Sequence, residues 1–237
     1  MQLPLFRQRH FNRLVLGVLI SGIACVLGGM NASANPSQST NGPSANTAKA
    51  KQTVLIVGDS LSAEYGLPRG TGWVQLMDKQ AVQEKISVQL INASISGDTT
   101  SGGVSRLPAL LQLHQPHIVV IELGGNDALR GLSMSMTQNN LSNMAQASKK
   151  SGAKVLLVAM QVPPNYGDNY RKQMDAVYLK VAKESGSQLN QQFLKGVADD
   201  ADPLKWFQAD KIHPNEAAQS VMMRNIWPQL KSMLRAP

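Results

Sequence analysis

Cysteine is nearly absent: Cys25 is the only one in 237 residues. It lies in an N-terminal stretch that reads as removable, and its loss leaves no disulfide, cysteine nucleophile or cysteine-ligated metal open to the chain. Charged residues are also scarce, at 16%, which excludes a disordered acidic or basic protein. The basic residues are scattered, with no cluster beyond pairs such as Lys149 and Lys150, and aromatics make up only 5%. Without a basic stripe or aromatic interleaving, nucleic-acid binding is excluded. No set of His, Asp and Glu has metal-ligand spacing, and no G-x-x-x-x-G-K-[ST] pattern offers a phosphate loop. The chain is therefore expected to work without metal or cofactor.

Long hydrophobic runs are missing too. The longest, Leu14 to Leu27, is interrupted by Gly17 and Gly22 and falls short of the roughly 20 residues of a membrane span. Arg7, Arg9 and Arg13 precede it, and "NASAN" follows with Ala32 and Ala34 in an A-x-A arrangement. This is the pattern of an export signal cleaved after Ala34, and it predicts a periplasmic or secreted protein with no stable membrane span after processing. Two other readings stay open: an uncleaved anchor, and lipid attachment at Cys25 in "GIAC", where Gly22 replaces the usual large aliphatic residue. Of the 23 Lys and Arg, three lie in residues 1–34, with none of the 15 acids; processing leaves 20 against 15, a formal +5. Residues 35–51, "NPSQSTNGPSANTAKAK", suit a flexible spacer. One domain, 52–237, is expected to follow, as a monomer.

What is present is apolar residue enough, 43%, to bury a core. Thr53 to Val57, Val88 to Ile91, Ile118 to Leu123 and Val155 to Ala159 read as strands buried on both faces. Amphipathic stretches between and after them, Trp73 to Glu84, Gly103 to Leu113, Thr137 to Lys150, Asn169 to Ser185 and Asn215 to Leu234, read as helices. The alternation predicts an α/β domain of three α/β/α layers around a parallel sheet, whose sites form beyond the carboxyl ends of the strands.

The reactive residues fall at those ends. Ser60 follows the first strand in "VGDSLSAEYG", Gly97 the second in "NASISGDTTSGG", and Asn126 the third in "ELGGNDALRG"; "DKIHPN" brings Asp210 and His213 near the C-terminus. A serine hydroxyl attacks only if a base takes its proton, and a histidine does this near neutral pH. An aspartate holds that imidazole and stabilises its charged form. The backbone N–H groups of Ser60 and Gly97 and the side-chain amide of Asn126 are candidate oxyanion donors. On its own Ser60 reads as a helix N-cap; Asp59 and Asp127 read as turn-fixing residues. Pro214 is placed to open the last helix. Trp73, Trp206 and Trp227 read as packing residues, and His117 and His114 lie toward the far end of the sheet.

"GDSLS", the Gly97 turn, "GGND" and "DxxHP" resemble the four blocks of the SGNH (GDSL) hydrolases, and the similarity continues through "RLPALLQLHQP" over essentially all of 53–234. Within that family the chain is similar to the periplasmic multifunctional acyl-CoA thioesterase, lysophospholipase and arylesterase group. The resemblance implies a flavodoxin-like sheet, Ser60 as nucleophile, Asp210 and His213 as its partners, and Ser60, Gly97 and Asn126 around the oxyanion. It also implies small-molecule esters or thioesters as substrates, with the loop from Met160 to Tyr170 flanking an acyl groove as a lid. Relatives commonly read "GDSLSAGYG"; Glu64 stands here at that glycine, an acid expected to alter the loop or disfavour anionic substrates. A short-chain carbohydrate deacetylase and a non-catalytic exported lipid binder are the competing readings.

Overall fold

A computed structural model describes residues 51–162 and 164–235. The segment expected to direct export, with Cys25 and Ala34, nearly all of the expected 35–51 spacer, and Pro163 lie outside the described residues. The chain runs β1 (Gln52–Gly58), α1 (Trp73–Gln83), β2 (Val88–Asn92), α2 (Thr100–His114), β3 (Ile118–Glu122), α3 (Gly125–Leu129), α4 (Met134–Lys150), β4 (Lys154–Val158), α5 (Asp168–Ser185), β5 (Gln188–Asn190) and α6 (Glu216–Arg235). The five strands are all parallel, in the order β2-β1-β3-β4-β5, which is the flavodoxin-like order.

Successive side chains of a strand face opposite ways, and both faces here are covered. Val54 and Ile56 pack with Trp73, Met77, Met222 and Ile226 of α1 and α6, whereas Leu55 and Val57 pack with Leu107, Leu141, Val177 and Tyr178 of α2, α4 and α5. All four strand residues are fully buried, each worth about 2 kcal/mol of hydrophobic stabilisation. The two-sided burial is why the central strands are unbroken Val, Ile and Leu.

The structure adds to the sequence reading and corrects it in places. Helix α2 starts at Thr100, three residues before the expected Gly103. Its glycines are there for space: a Cβ on Gly103 would come within 2.5 Å of Leu123 and 2.7 Å of Met144. Strand β5 and helix α3 were not expected. Pro214 does not open α6; it pairs with Phe207 in an isolated bridge, and the helix begins two residues later at Glu216. The stretch expected as an irregular lid is partly regular, with a 3-10 turn at Pro164–Tyr166 and α5 beginning at Asp168. Trp73 and Trp227 are buried in the core, and the half-buried Trp206 donates its indole N–H to Asp200.

Candidate active site

Strand β1 must end in glycine because the Glu122 side chain of β3 crosses its last residue: a Cβ on Gly58 would sit 2.5 Å from Glu122 Oε2. The chain then turns. Asp59 O accepts from the N–H groups of Ser62 (3.2 Å) and Ala63 (2.9 Å), and Asp59 Oδ1 accepts from Leu61 N–H at 3.1 Å. Ser60 at this turn places Oγ 2.9 Å from His213 Nε2.

His213 arrives on the loop before α6, shaped by Asp210. One Asp210 oxygen accepts from the backbone N–H of Ile212 at 2.9 Å and of His213 at 3.0 Å; the other lies 2.6 Å from His213 Nδ1. An ionised carboxylate only accepts, so Nδ1 carries the proton and Nε2 presents its lone pair to the serine hydroxyl. Burial works to raise the Asp210 pKa, but the hydrogen bonds from His213 and Ile212 outweigh it and hold the carboxyl at about 2. The Tyr65 ring packs against the His213 ring at a tilt of 41°, with centroids 4.4 Å apart.

Asn126, the second residue of the short helix α3, donates its amide N–H to Asp59 Oδ2 at 3.1 Å, next to the serine. Gly97 has φ +78 and follows Ser96 in a turn closed by Asp98 N–H donating to Ile95 O at 3.1 Å, a type II geometry that favours glycine. Its carbonyl accepts from Arg130 Nη2 at 2.7 Å. Asp59, Ser60, Asn126 and His213 line a cleft of about 510 Å³, together with Leu129, Met160, Val162, Leu194, Leu204 and Ile212. Gly97 is not among the cleft-lining residues.

A model of the GDSL-like lipase/acylhydrolase family matches residues 56–221. The chain belongs to that family. It is 49% identical over 185 residues to esterase TesA of Pseudomonas aeruginosa, covering 78% of this chain and 90% of that protein. To thioesterase 1/protease 1/lysophospholipase L1 of Escherichia coli it is 42% identical over 189 residues, covering 79% and 87%. A crystal structure of TesA superposes with a TM-score of 0.74 at 48% identity, covering 77% of this chain and 99% of the other.

Several features of this GDSL-like acylhydrolase were not legible in its motifs. Glu64 has φ +58, a left-handed conformation that glycine adopts at less cost. Its carboxylate turns into its own loop, accepting from Gly70 N–H at 3.0 Å and Gly72 N–H at 2.8 Å, so it braces the loop. Asp127 does not fix its own turn; it accepts from the Thr100 N–H (2.9 Å) and hydroxyl (2.5 Å) and from the Thr137 hydroxyl (3.2 Å), joining α2 to α4. Beneath the nucleophile turn lies a second carboxyl, Glu122, wholly buried. Its Oε2 accepts from Ser62 Oγ at 2.5 Å and Asp59 N–H at 3.2 Å. Burial and the neighbouring Asp59 charge push its pKa well up. The lining residues from Leu194 to Phe207 follow β5 and carry no motif.

Proposed function

We propose that the chain hydrolyses carboxylic esters and thioesters, including acyl thioesters, lysophospholipids and aryl esters, through an acyl-enzyme on Ser60. The observation that carries this reading is the hydrogen-bonded line from Asp210 through His213 to Ser60 at an apolar cleft. His213 Nε2 takes the hydroxyl proton as Ser60 Oγ attacks the acyl carbon. The N–H groups of Ser60 and Gly97 and the Asn126 amide stabilise the oxyanion, and Asp210 stabilises the imidazolium. The proton then passes to the leaving alcohol or thiol. Water, activated by the same histidine, attacks the acyl-enzyme, and collapse of the second tetrahedral intermediate releases the acid and restores Ser60. None of these steps requires a cofactor.

Acyl chains fit the apolar lining of the cleft better than sugars do, which favours the lipid esterase over the carbohydrate deacetylase. Export through residues 1–34 is part of the proposal and rests on the arginine, apolar and A-x-A pattern. The test is turnover of p-nitrophenyl esters of increasing acyl length by residues 35–237, with Ser60→Ala in parallel. The expected loss in the variant is at least about 10³-fold. Full activity in the variant would sink the assignment, and a steep fall in rate beyond short acyl groups would favour the deacetylase.

A further inference from the structure

The candidate donors Ser60 N–H and Gly97 N–H leave the sheet on two different strands, β1 and β2. An oxyanion hole works only if their separation is fixed before substrate arrives. The sheet supplies one tie at this level, Ile95 N–H donating to Gly58 O at 3.1 Å. A third element, α2, reaches both segments through one side chain. Arg106 Nη2 donates to Gly58 O at 3.2 Å, directly ahead of the nucleophile turn. Its Nη1 donates to Ala93 O, where β2 ends. Its Nε donates to Asp98 Oδ2 at 2.8 Å, beside Gly97.

The acceptors are themselves held. Asp98 Oδ1 accepts from Thr99 N–H at 3.0 Å, and Gly102 leaves room for that carboxylate, which a Cβ there would strike. The pair is sheltered, with 18% of the Arg106 side chain and 12% of the Asp98 side chain exposed. A planar guanidinium can address three acceptors in fixed directions at once, whereas an ammonium cannot match that fork.

We propose that Arg106 is a positioning residue for the oxyanion hole, setting the Gly97 turn against the Ser60 turn by bonding Asp98, Ala93 and Gly58 together. This rests on the hydrolase reading above. Arg106 touches no substrate atom; it acts by keeping the Gly97 N–H aimed where the oxyanion forms, while Arg130 holds the Gly97 carbonyl from the other side.

The test compares the parent with Arg106→Lys and Arg106→Ala on an ester and on the matching thionoester, with melting temperatures recorded alongside. Oxyanion donors favour developing charge on oxygen over sulfur, so their misplacement lowers the oxo-to-thiono rate ratio, and a general loosening of the fold does not. For Arg106→Lys the expectation is a kcat lowered by about 10- to 100-fold on the ester, with KM within about twofold and a reduced ratio. Arg106→Lys keeps the charge, so it reports even where Arg106→Ala does not fold. An unchanged kcat overturns the inference, and so does a lowered kcat with the ratio preserved. A parent inactive on every ester overturns the hydrolase reading itself, and this inference with it.

Discussion

Asp59 stands where the end of a strand, the proposed nucleophile and an amide donor meet. By accepting one N–H of Asn126 it leaves the other for the proposed oxyanion contact, since a side-chain amide has two. Burial raises its pKa from 3.8 to about 6, against the opposing influence of Leu61 N–H, His213 and Asn126. An acid whose folded pKa lies above its unfolded value holds more protons when folded. Its contribution therefore lowers stability progressively as pH rises from about 4 through about 6, and it is neutral below that window. Asp59→Asn removes this slope. Melting temperatures measured from pH 4 to 8 should diverge in the variant's favour up to about pH 6 and stay apart by a constant margin above it, whereas curves parallel throughout would contradict the buried-acid assignment. The same variant loses the charged acceptor for Asn126, and its kcat on a p-nitrophenyl ester should fall about tenfold. The sequence reading had Asp59 as a turn residue, which the Leu61 bond bears out. The tie to Asn126 spans 67 positions, and nothing local in the chain announces it.

Helix α5 supports the next turn along the site. Tyr178, fully buried, donates its hydroxyl to Leu123 O at 2.7 Å, just before the glycine pair that leads into α3. Gly124 has φ +121, and a Cβ there would sit 2.4 Å from the Tyr178 hydroxyl. Gly124→Ala combines a strained backbone with a collision against a fixed side chain, and should cost about 3 kcal/mol in urea unfolding. Tyr178→Phe removes only the hydroxyl and leaves the Leu123 carbonyl unpaired, about 1–2 kcal/mol. If Gly124→Ala is no worse than Tyr178→Phe, the close-approach account of the glycine fails. At this scale legibility followed burial. Strands β1, β3 and β4 were readable because two apolar faces make runs of Val, Ile and Leu; β2, "VQLIN", lies at the sheet edge and is only partly buried, not buried on both faces as its sequence suggested. Strand β5, "QLN", is a three-residue edge strand with too little apolar signal to register. Its Asn190 is buried by bonding to Asn225 O and Gln229, contacts that only α6 supplies.

For the whole molecule, the alternation of apolar and amphipathic segments was sufficient to predict a three-layer parallel domain. The rule that sites lie beyond the carboxyl ends of strands then placed Ser60, Gly97 and Asn126 at one edge. The cleft was not predictable, because its walls come from several loops whose meeting depends on how the strands are ordered. Both halves of the described core fall within residues 54–234. A chain of residues 46–237 should therefore melt within about 3 °C of the 35–237 protein, a shift of under about 1 kcal/mol for a domain this size, and keep its kcat. A larger drop would mean that the preceding residues contribute to the fold.

The strands of this sheet are covered by helices on both faces, and the cleft is built from the loops at their ends. The inner wall is core as well, since Met160, Val162, Met174 and Leu194 line the cleft and are buried, so the exposed rim is where stability and substrate choice come apart. Residues such as Leu204, 58% exposed on the cleft wall, can be exchanged to lengthen or shorten the acyl slot without disturbing the buried layers. Such a division makes the scaffold suited to selection for new esters: variation at the rim draws on no reserve of folding energy, and many specificities are reachable by single steps from one stable parent.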